Sequence, residues 1–312
     1  MQDSRMAVVG IGATGTVLAA VLLSKYPDTF LIGRTPDLAK TLGLKGITVS
    51  GEITCKVAVK NYSSQIGDLK EFRPSSIFLT TKTFHLEQVL DNLRAVFEPG
   101  IKIISTQNGL GPEDLIADKF GRDSALRMSL NYGASLKRAG EVEVTFFNRP
   151  NHLGSLSVGN QNTGVQLADR ISDCGLETEF VDDIKLFVWK KMIMKCTMAS
   201  ICAVTGKTIK EALGYPPTRE IADACFKEAL AVAKAMGYDI GEDYLQQALG
   251  YLEKVGIHKD SMCNDIENKM PTEIDFLGAK VVDYARAKGI STPFYVTMTN
   301  LVKTIESNYL EK

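Results

Sequence analysis

The feature that most constrains this 312-residue chain is Gly10-Ile11-Gly12-Ala13-Thr14-Gly15, set between the apolar run Met6–Val9 and a helix-like run that continues to about Ser24. A chain that passes from a strand into a helix through this spacing has a specific use for each glycine. Gly10 permits the tight turn, Gly12 lets the backbone come close to a pyrophosphate, and Gly15 lets the helix pack on the strand. The helix start then offers unpaired N–H groups and the positive end of its dipole to phosphate oxygens. Gly10, Gly12, Ala13, Thr14 and Gly15 are therefore candidate cofactor contacts. An ordinary glycine-rich turn is the alternative, and it gives no reason for the flanking strand and helix. Met6 to Ser24 carries no charge and also resembles a signal or membrane segment. The glycine spacing accounts for it better.

At roughly 150 residues per domain the length predicts two domains. The first half alternates strand-like runs (Met6–Val9, Thr29–Ile32, Val57–Val59, Ser76–Thr80, Lys102–Ser105) with helix-like ones near 12–24, 86–97 and 112–120. That alternation predicts an α/β domain, a Rossmann-type parallel sheet covered by helices. Strand signals continue at Ala125–Leu130, Val142–Phe147 and Ser155–Val158, followed by a helix at Val165–Cys174 and a strand at 177–181. Beyond Asp182-Asp183 the pattern turns helical: to about Val204 from a cap at Asp183, then at 218–236, 243–255, 272–288 and 295–310. Gly237, Gly256 and Gly289 occupy the positions of helix C-terminal caps. The expected organisation is a dinucleotide-binding domain at 1–181 and an all-helical C-terminal domain at 182–312.

Composition removes several classes. Thirty-six basic and 37 acidic residues give a net charge of −1, which provides no global attraction to nucleic acid or an anionic membrane. Six cysteines without a C-x-x-C pair, and only three histidines, read as reduced thiols in a cytoplasmic protein with no dedicated metal site.

About 20 residues after the glycine turn, an NAD site usually presents an acid. Here Phe30-Leu31-Ile32-Gly33 leads to Arg34-Thr35. An arginine there suits a 2′-phosphate and favours NADP, with a solvated surface Arg as the alternative. Lys82 follows a predicted strand and faces the ligand crevice if that strand is real. Asn108, in Gln107-Asn108-Gly109-Leu110-Gly111, follows another and offers both a donor and an acceptor. On the long predicted helix, Lys191 and Lys195 are four residues apart and share a face. They are either a solvated stripe or a partly desolvated pair suited to proton donation. Glu273, after Thr272, is explained by a helix start alone or serves as a carboxylate that orients a lysine or binds a hydroxyl.

Taken in order, the glycine fingerprint, Lys82, Gln-Asn-Gly-Leu-Gly at 107–111, Trp-Lys-Lys at 189–191, Ser-Met at 261–262 and Thr-Glu-Ile-Asp at 272–275 resemble the ketopantoate reductase family over essentially the whole chain. The resemblance implies an N-terminal Rossmann domain, a helical C-terminal domain and hydride transfer from NADPH to the C2 carbonyl of a 2-oxo acid. In the named enzyme the product is pantoate, on the way to pantothenate and coenzyme A. By the same resemblance Lys191 donates a proton to the carbonyl oxygen and Glu273 helps bind substrate and position that lysine. Asn108 lies between nicotinamide and substrate, Ser261 contacts the substrate carboxylate, and Lys82 is a cleft lysine near the cofactor.

Three positions depart from the family pattern. Lys195 and Ala199 stand where asparagines follow the catalytic lysine by one and two turns, and His258 stands three positions before Ser261 where Asn is frequent. The default substrate implied by the resemblance is 2-dehydropantoate, and the departures are then drift with that acid still bound in another way. The alternative is a paralogue that takes another 2-oxo acid, with Lys195 binding substrate through a second carboxylate and Ala199 making room for bulk. An opine-type imine reductase and a non-catalytic NADP-binding regulator are the alternative readings. A homodimer is the expected assembly.

Overall fold

The computed structural model describes residues 5–257 and 259–310; His258 lies outside the described residues. Two compact units form. One holds the chain up to Gln107 together with Pro112–Ile184, and the other holds Asn108–Gly111 and Lys185 onward.

The first unit carries twelve strands among the described residues: β1 (Met6–Val9), β2 (Phe30–Ile32), β3 (Ile47–Gly51), β4 (Cys55–Val57), β5 (Asn61–Ser63), β6 (Ser76–Leu79), β7 (Lys102–Ser105), β8 (Ala125–Ser129), β9 (Tyr132–Arg138), β10 (Glu141–Phe147), β11 (Asn151–Ser155) and β12 (Thr178–Phe180). Eight make the main sheet in the order β12-β11-β8-β7-β6-β1-β2-β5. Every neighbouring pair in it is parallel except β11 with β8. β1 and β6 are buried along their whole length, as expected of central parallel strands covered on both faces. The parallel α/β domain expected from the alternation is therefore present. A second sheet, β4-β3-β10-β9, was not expected as a separate layer. It draws in β4 and β10, which the sequence pattern assigned to one run of strands.

The second sheet explains the uncharged N-terminal run. The helix Ala13–Lys25 packs against β1 on one side and against β3, β4, β9 and β10 on the other. Gly15 to Leu23 are all buried. A helix covered on every side has no solvent face to carry charge. No helix among the described residues is long and apolar enough to cross a membrane.

Two sequence expectations shift. The strand placed at Ser155–Val158 is instead β11, Asn151–Ser155, and Val158–Asn160 is a 3-10 turn. The helix expected from Thr272 starts at Gly278. It is preceded by a 3-10 turn at Ile274–Phe276, where Thr272 Oγ1 accepts from the Ile274 amide at 3.2 Å. The physical reason for the break is that the Phe276 carbonyl accepts from Leu110 N at 2.8 Å.

The second unit is largely helical. Its spine is Ile184–Thr205, followed by Ile209–Gly214, Pro216–Ala235, Tyr244–Val255, Ser261–Glu267, Gly278–Ala287 and Pro293–Ser307. Cys196, Ile201, Phe226, Ala229, Val281 and Val302 are fully buried or nearly so. Inside this core Thr197 and Tyr295 share a hydroxyl–hydroxyl hydrogen bond of 2.7 Å.

A buried polar chain ties strand ends together in the first unit. Arg127 on β8 donates to Ser105 Oγ at 2.8 Å, and Ser105 donates to Gln107 Oε1 at 2.7 Å. Gln107 Nε2 reaches Thr81 Oγ1 at 3.3 Å. Glu113 lies 3.7 Å from Arg127, and both side chains are about as buried as the apolar core, at 3% and 2% exposed. Removing one partner of such a pair strands the other charge. Arg127→Met is expected to lower stability by about 3–5 kcal/mol. Loss of the exposed Arg94–Glu98 pair by Glu98→Ala should cost no more than about 0.5 kcal/mol. Urea denaturation of the two variants checks both.

Candidate functional site

The glycine turn is built as its sequence requires, and its three glycines answer to different constraints. Gly10 has φ +100, and a Cβ there would sit 2.7 Å from the Thr81 amide nitrogen. At Gly15 a Cβ would overlap the Gly10 carbonyl and the Thr80 hydroxyl. Thr80 Oγ1 itself donates to the Gly10 carbonyl. Both glycines are thus demanded by the packing of the turn. Gly12 is not: a Cβ there meets nothing within 4 Å, and its φ of −85 is open to any residue. Gly12 is the N-cap of the helix Ala13–Lys25, makes no side-chain cap and has no acidic residue in the turn that follows. The space in front of it is an open cradle of backbone N–H groups. That fits a diphosphate, which a Cβ would crowd. The second sheet braces this first turn, because the buried Tyr132 hydroxyl donates to the Thr14 carbonyl at 2.9 Å.

Arg34 is exposed just past β2. Its positive charge reaches His85, whose pKa is lowered first by burial and then by Arg34. Thr35 is the N-cap of the helix Pro36–Lys45, its Oγ1 accepting from Leu38 N at 3.3 Å. Lys82 is half-buried and leads into the 3-10 turn Thr83–His85. Gly10, Gly12, Ala13, Thr14, Gly15, Arg34 and Lys82 all belong to the first unit.

The other candidates assemble in the helical unit, to which Asn108–Gly111 also belongs. Lys191 Nζ donates to Asn108 Oδ1 at 3.0 Å. Asn108 is held by its neighbours: Gly109 N donates to Met192 Sδ at 3.0 Å, and Leu110 N to the Phe276 carbonyl. Gly109 has φ +113, and a Cβ there would come 2.7 Å from the Phe276 oxygen, so only glycine fits. Glu273, half-buried, opens the turn that carries Phe276. One helical turn beyond Lys191, Lys195 Nζ lies 2.6 Å from Asp260 Oδ2 and 2.7 Å from Ser261 Oγ. Lys191 and Lys195 are therefore no solvated stripe.

Two family models cover this architecture. "Ketopantoate reductase PanE/ApbA" matches residues 6–157, and its C-terminal counterpart matches residues 183–306. The chain belongs to the ketopantoate reductase family. A 2-dehydropantoate 2-reductase of Streptococcus pyogenes is 26% identical over 306 residues, covering 96% of this chain and 97% of the relative. One from Archaeoglobus fulgidus is 27% identical over 308 residues, covering 98% and 99%. Among solved structures, a D-mandelate dehydrogenase with NADH and anilino(oxo)acetate superposes with a TM-score of 0.88 at 23% identity, covering 99% of this chain and 100% of that one. A dimeric ketopantoate reductase from Staphylococcus aureus superposes at 0.79 with 20% identity, covering 98% and 100%. Family and fold place the protein among the NAD(P)-dependent oxidoreductases.

Two of the three departures from the family pattern lie in the described structure. Ala199 is completely buried. Lys195 already has its charge matched by Asp260, so the expected second substrate carboxylate would have to displace that partner. Asp260 itself was missed. Its signal was an Asp directly before a helix, and it does cap Ser261–Glu267, accepting from Met262 N at 2.9 Å. Its second role is set by a residue 65 positions away. The cysteines offer no rival nucleophile: all six are free, and burial pushes the Cys174 thiol to about 11 and those of Cys202 and Cys225 to about 12. No cluster of three or more metal-ligating side chains occurs among the described residues.

The contrast between the glycines is testable. Gly12→Ala is expected to keep folding stability within about 1 kcal/mol while weakening dinucleotide binding at least tenfold. Gly15→Ala should destabilise the fold itself. Thermal melts with and without NADPH separate the two effects.

Proposed function

We propose that this protein reduces the C2 carbonyl of a 2-oxo acid to a hydroxyl group using NADPH, with 2-dehydropantoate as the default substrate. The observation that carries this reading is the 3.0 Å contact from Lys191 Nζ to Asn108 Oδ1. It holds an ammonium in place on the helical unit, the Asn108 amide oxygen accepting its hydrogen bond.

Reduction places growing negative charge on the carbonyl oxygen, and a positioned ammonium stabilises it and then gives up a proton. Lys191 has the chemistry for that role. Asn108 limits its swing, and the packing of Gly109 and Leu110 against Met192 and Phe276 in turn fixes Asn108. Bound NADPH would supply the hydride, the protein's part being to hold and polarise. Gly10, Gly12, Ala13, Thr14 and Gly15 would cradle the diphosphate, and Arg34 the 2′-phosphate, with Lys82 nearby. Glu273 is assigned to substrate binding and to the positioning of Lys191. Ser261 is assigned to the substrate carboxylate, with Lys195 beside it. The cytoplasm is the expected setting, and a homodimer is supported by the dimeric Staphylococcus aureus relative.

A different 2-oxo acid is the second reading, favoured by the D-mandelate dehydrogenase likeness. NADPH oxidation by the purified protein, followed at 340 nm across a panel of 2-oxo acids, decides between them. Turnover of 2-dehydropantoate above the rest supports the first, and preference for a phenyl-substituted 2-oxo acid the second. Activity only with an added amine would indicate imine reduction, and tight NADPH binding without any turnover a regulator.

Lys191→Met is expected to lower kcat about 10²–10⁴-fold while NADPH binding, read by fluorescence titration, stays intact. Arg34→Ala should raise KM for NADPH about 10–100-fold, the worth of a charge-assisted hydrogen bond, and leave KM for NADH unchanged.

A further inference from the structure

Lys195, Asp260 and Ser261 form a closed arrangement that the general mechanism does not require. Asp260 is 8% exposed and its carboxylate is fully engaged: one oxygen accepts from Met262 N and the other from Lys195. The Lys195 side chain is 17% exposed. Its ammonium, an obligatory donor, also contacts Ser261 Oγ at 2.7 Å.

This second contact fixes the polarity of the serine. A hydroxyl has one proton to give and lone pairs to accept with. Because Lys195 can only donate, Ser261 Oγ must accept, and the serine proton has to point elsewhere. Ser261 is the exposed member of the three, so the proton is aimed away from Lys195 towards the accessible side. An asparagine at 195, with both a donor and an acceptor, would leave the serine free to rotate. Lysine removes that choice. Asp260 meanwhile cancels the lysine charge, so the unit presents an oriented donor with no net charge of its own.

We propose that Lys195, held by Asp260, is a positioning residue that locks Ser261 as a hydrogen-bond donor to the single carboxylate of a monocarboxylic 2-oxo acid. The proposal rests on the reductase reading above. It replaces the idea that Lys195 receives a second carboxylate. A dicarboxylic 2-oxo acid would gain nothing at Lys195, because its ionic partner is already in place. The locked unit would act in binding and leave the hydride and proton steps to other groups.

The test is steady-state kinetics of the full-length protein with NADPH and the 2-oxo acid that the wild type turns over best, run beside the dicarboxylic acid 2-oxoglutarate. The variants are Lys195→Met, Ser261→Ala, the double variant and Lys195→Asn. If Lys195 works through Ser261, Lys195→Met and Ser261→Ala each raise KM for the 2-oxo acid about 10–100-fold, with kcat within threefold and KM for NADPH unchanged. The double variant is then no worse than the poorer single one, because the two residues act as a unit. Lys195→Asn, which can still donate to Ser261, recovers part of the loss. Thermal melts of each variant identify any that fail to fold; Lys195→Asn then carries the comparison with Ser261→Ala. Additive losses in the double variant, an unchanged KM in Lys195→Met, or a wild-type preference for 2-oxoglutarate that Lys195→Met abolishes would each overturn the proposal while leaving the reductase reading intact. A wild type that oxidises NADPH with no 2-oxo acid would overturn the reading and this proposal together.

Discussion

The first unit depends on the burial of one helix from two directions. Ala13–Lys25 lies between the main sheet and the four-stranded sheet, and every residue from Gly15 to Leu23 is shielded. Burying a Leu or Val side chain is worth about 1.5–3 kcal/mol, so this segment alone is a large part of the apolar stabilisation. It also fixes the position of the helix start. The turn itself is open to Gly10 at positive φ because glycine has no Cβ to clash there. The Tyr132 bond to Thr14 extends the same restraint from the second sheet to the first turn. Binding geometry at the N–H cradle is thus a by-product of core packing.

Polar groups are handled differently in the two units. In the first, the buried chain from Glu113 through Arg127, Ser105 and Gln107 to Thr81 joins the ends of β6, β7 and β8. Glu113, Arg127, Ser105 and Gln107 are buried and Thr81 is half-buried, so the chain runs from the core to the turn after β6. In the second, Lys191 and Lys195 sit one turn apart on the same helix and reach different residues. Lys191 meets a neutral amide, and Lys195 meets a carboxylate.

What the sequence revealed follows from how local each cause is. β1, β6 and β7 and the helix Pro112–Phe120 stand out as apolar runs bounded by turn residues, and the glycine turn is written in six consecutive positions. β11 is not written locally. Asn151-His152-Leu153-Gly154-Ser155 contains one large apolar residue, and its place is held by distant groups. Asn151 bonds to Asn131 N and the Glu177 carbonyl, and Gly154 leaves no room for a Cβ beside Ile184. The break between Phe276 and Gly278 has the same character, since it answers to an amide 166 positions earlier. At the site, residue types and order pointed to Lys191 and Asn108, whereas the coupling of Lys195 to Asp260 exists only after folding brings them together.

The assignment of Asn108–Gly111 to the helical unit has a consequence for modularity. The chain leaves the first unit after Gln107, returns at Pro112 and leaves again after Ile184. No single cut in the gene yields both units whole. A fragment starting at Lys185 would lack the amide that engages Phe276 and the side chain that meets Lys191. Recombination that swaps helical domains at the apparent boundary near 182 would therefore join a spine to a foreign four-residue loop. The protein passes on its helical half intact only when that loop travels with it.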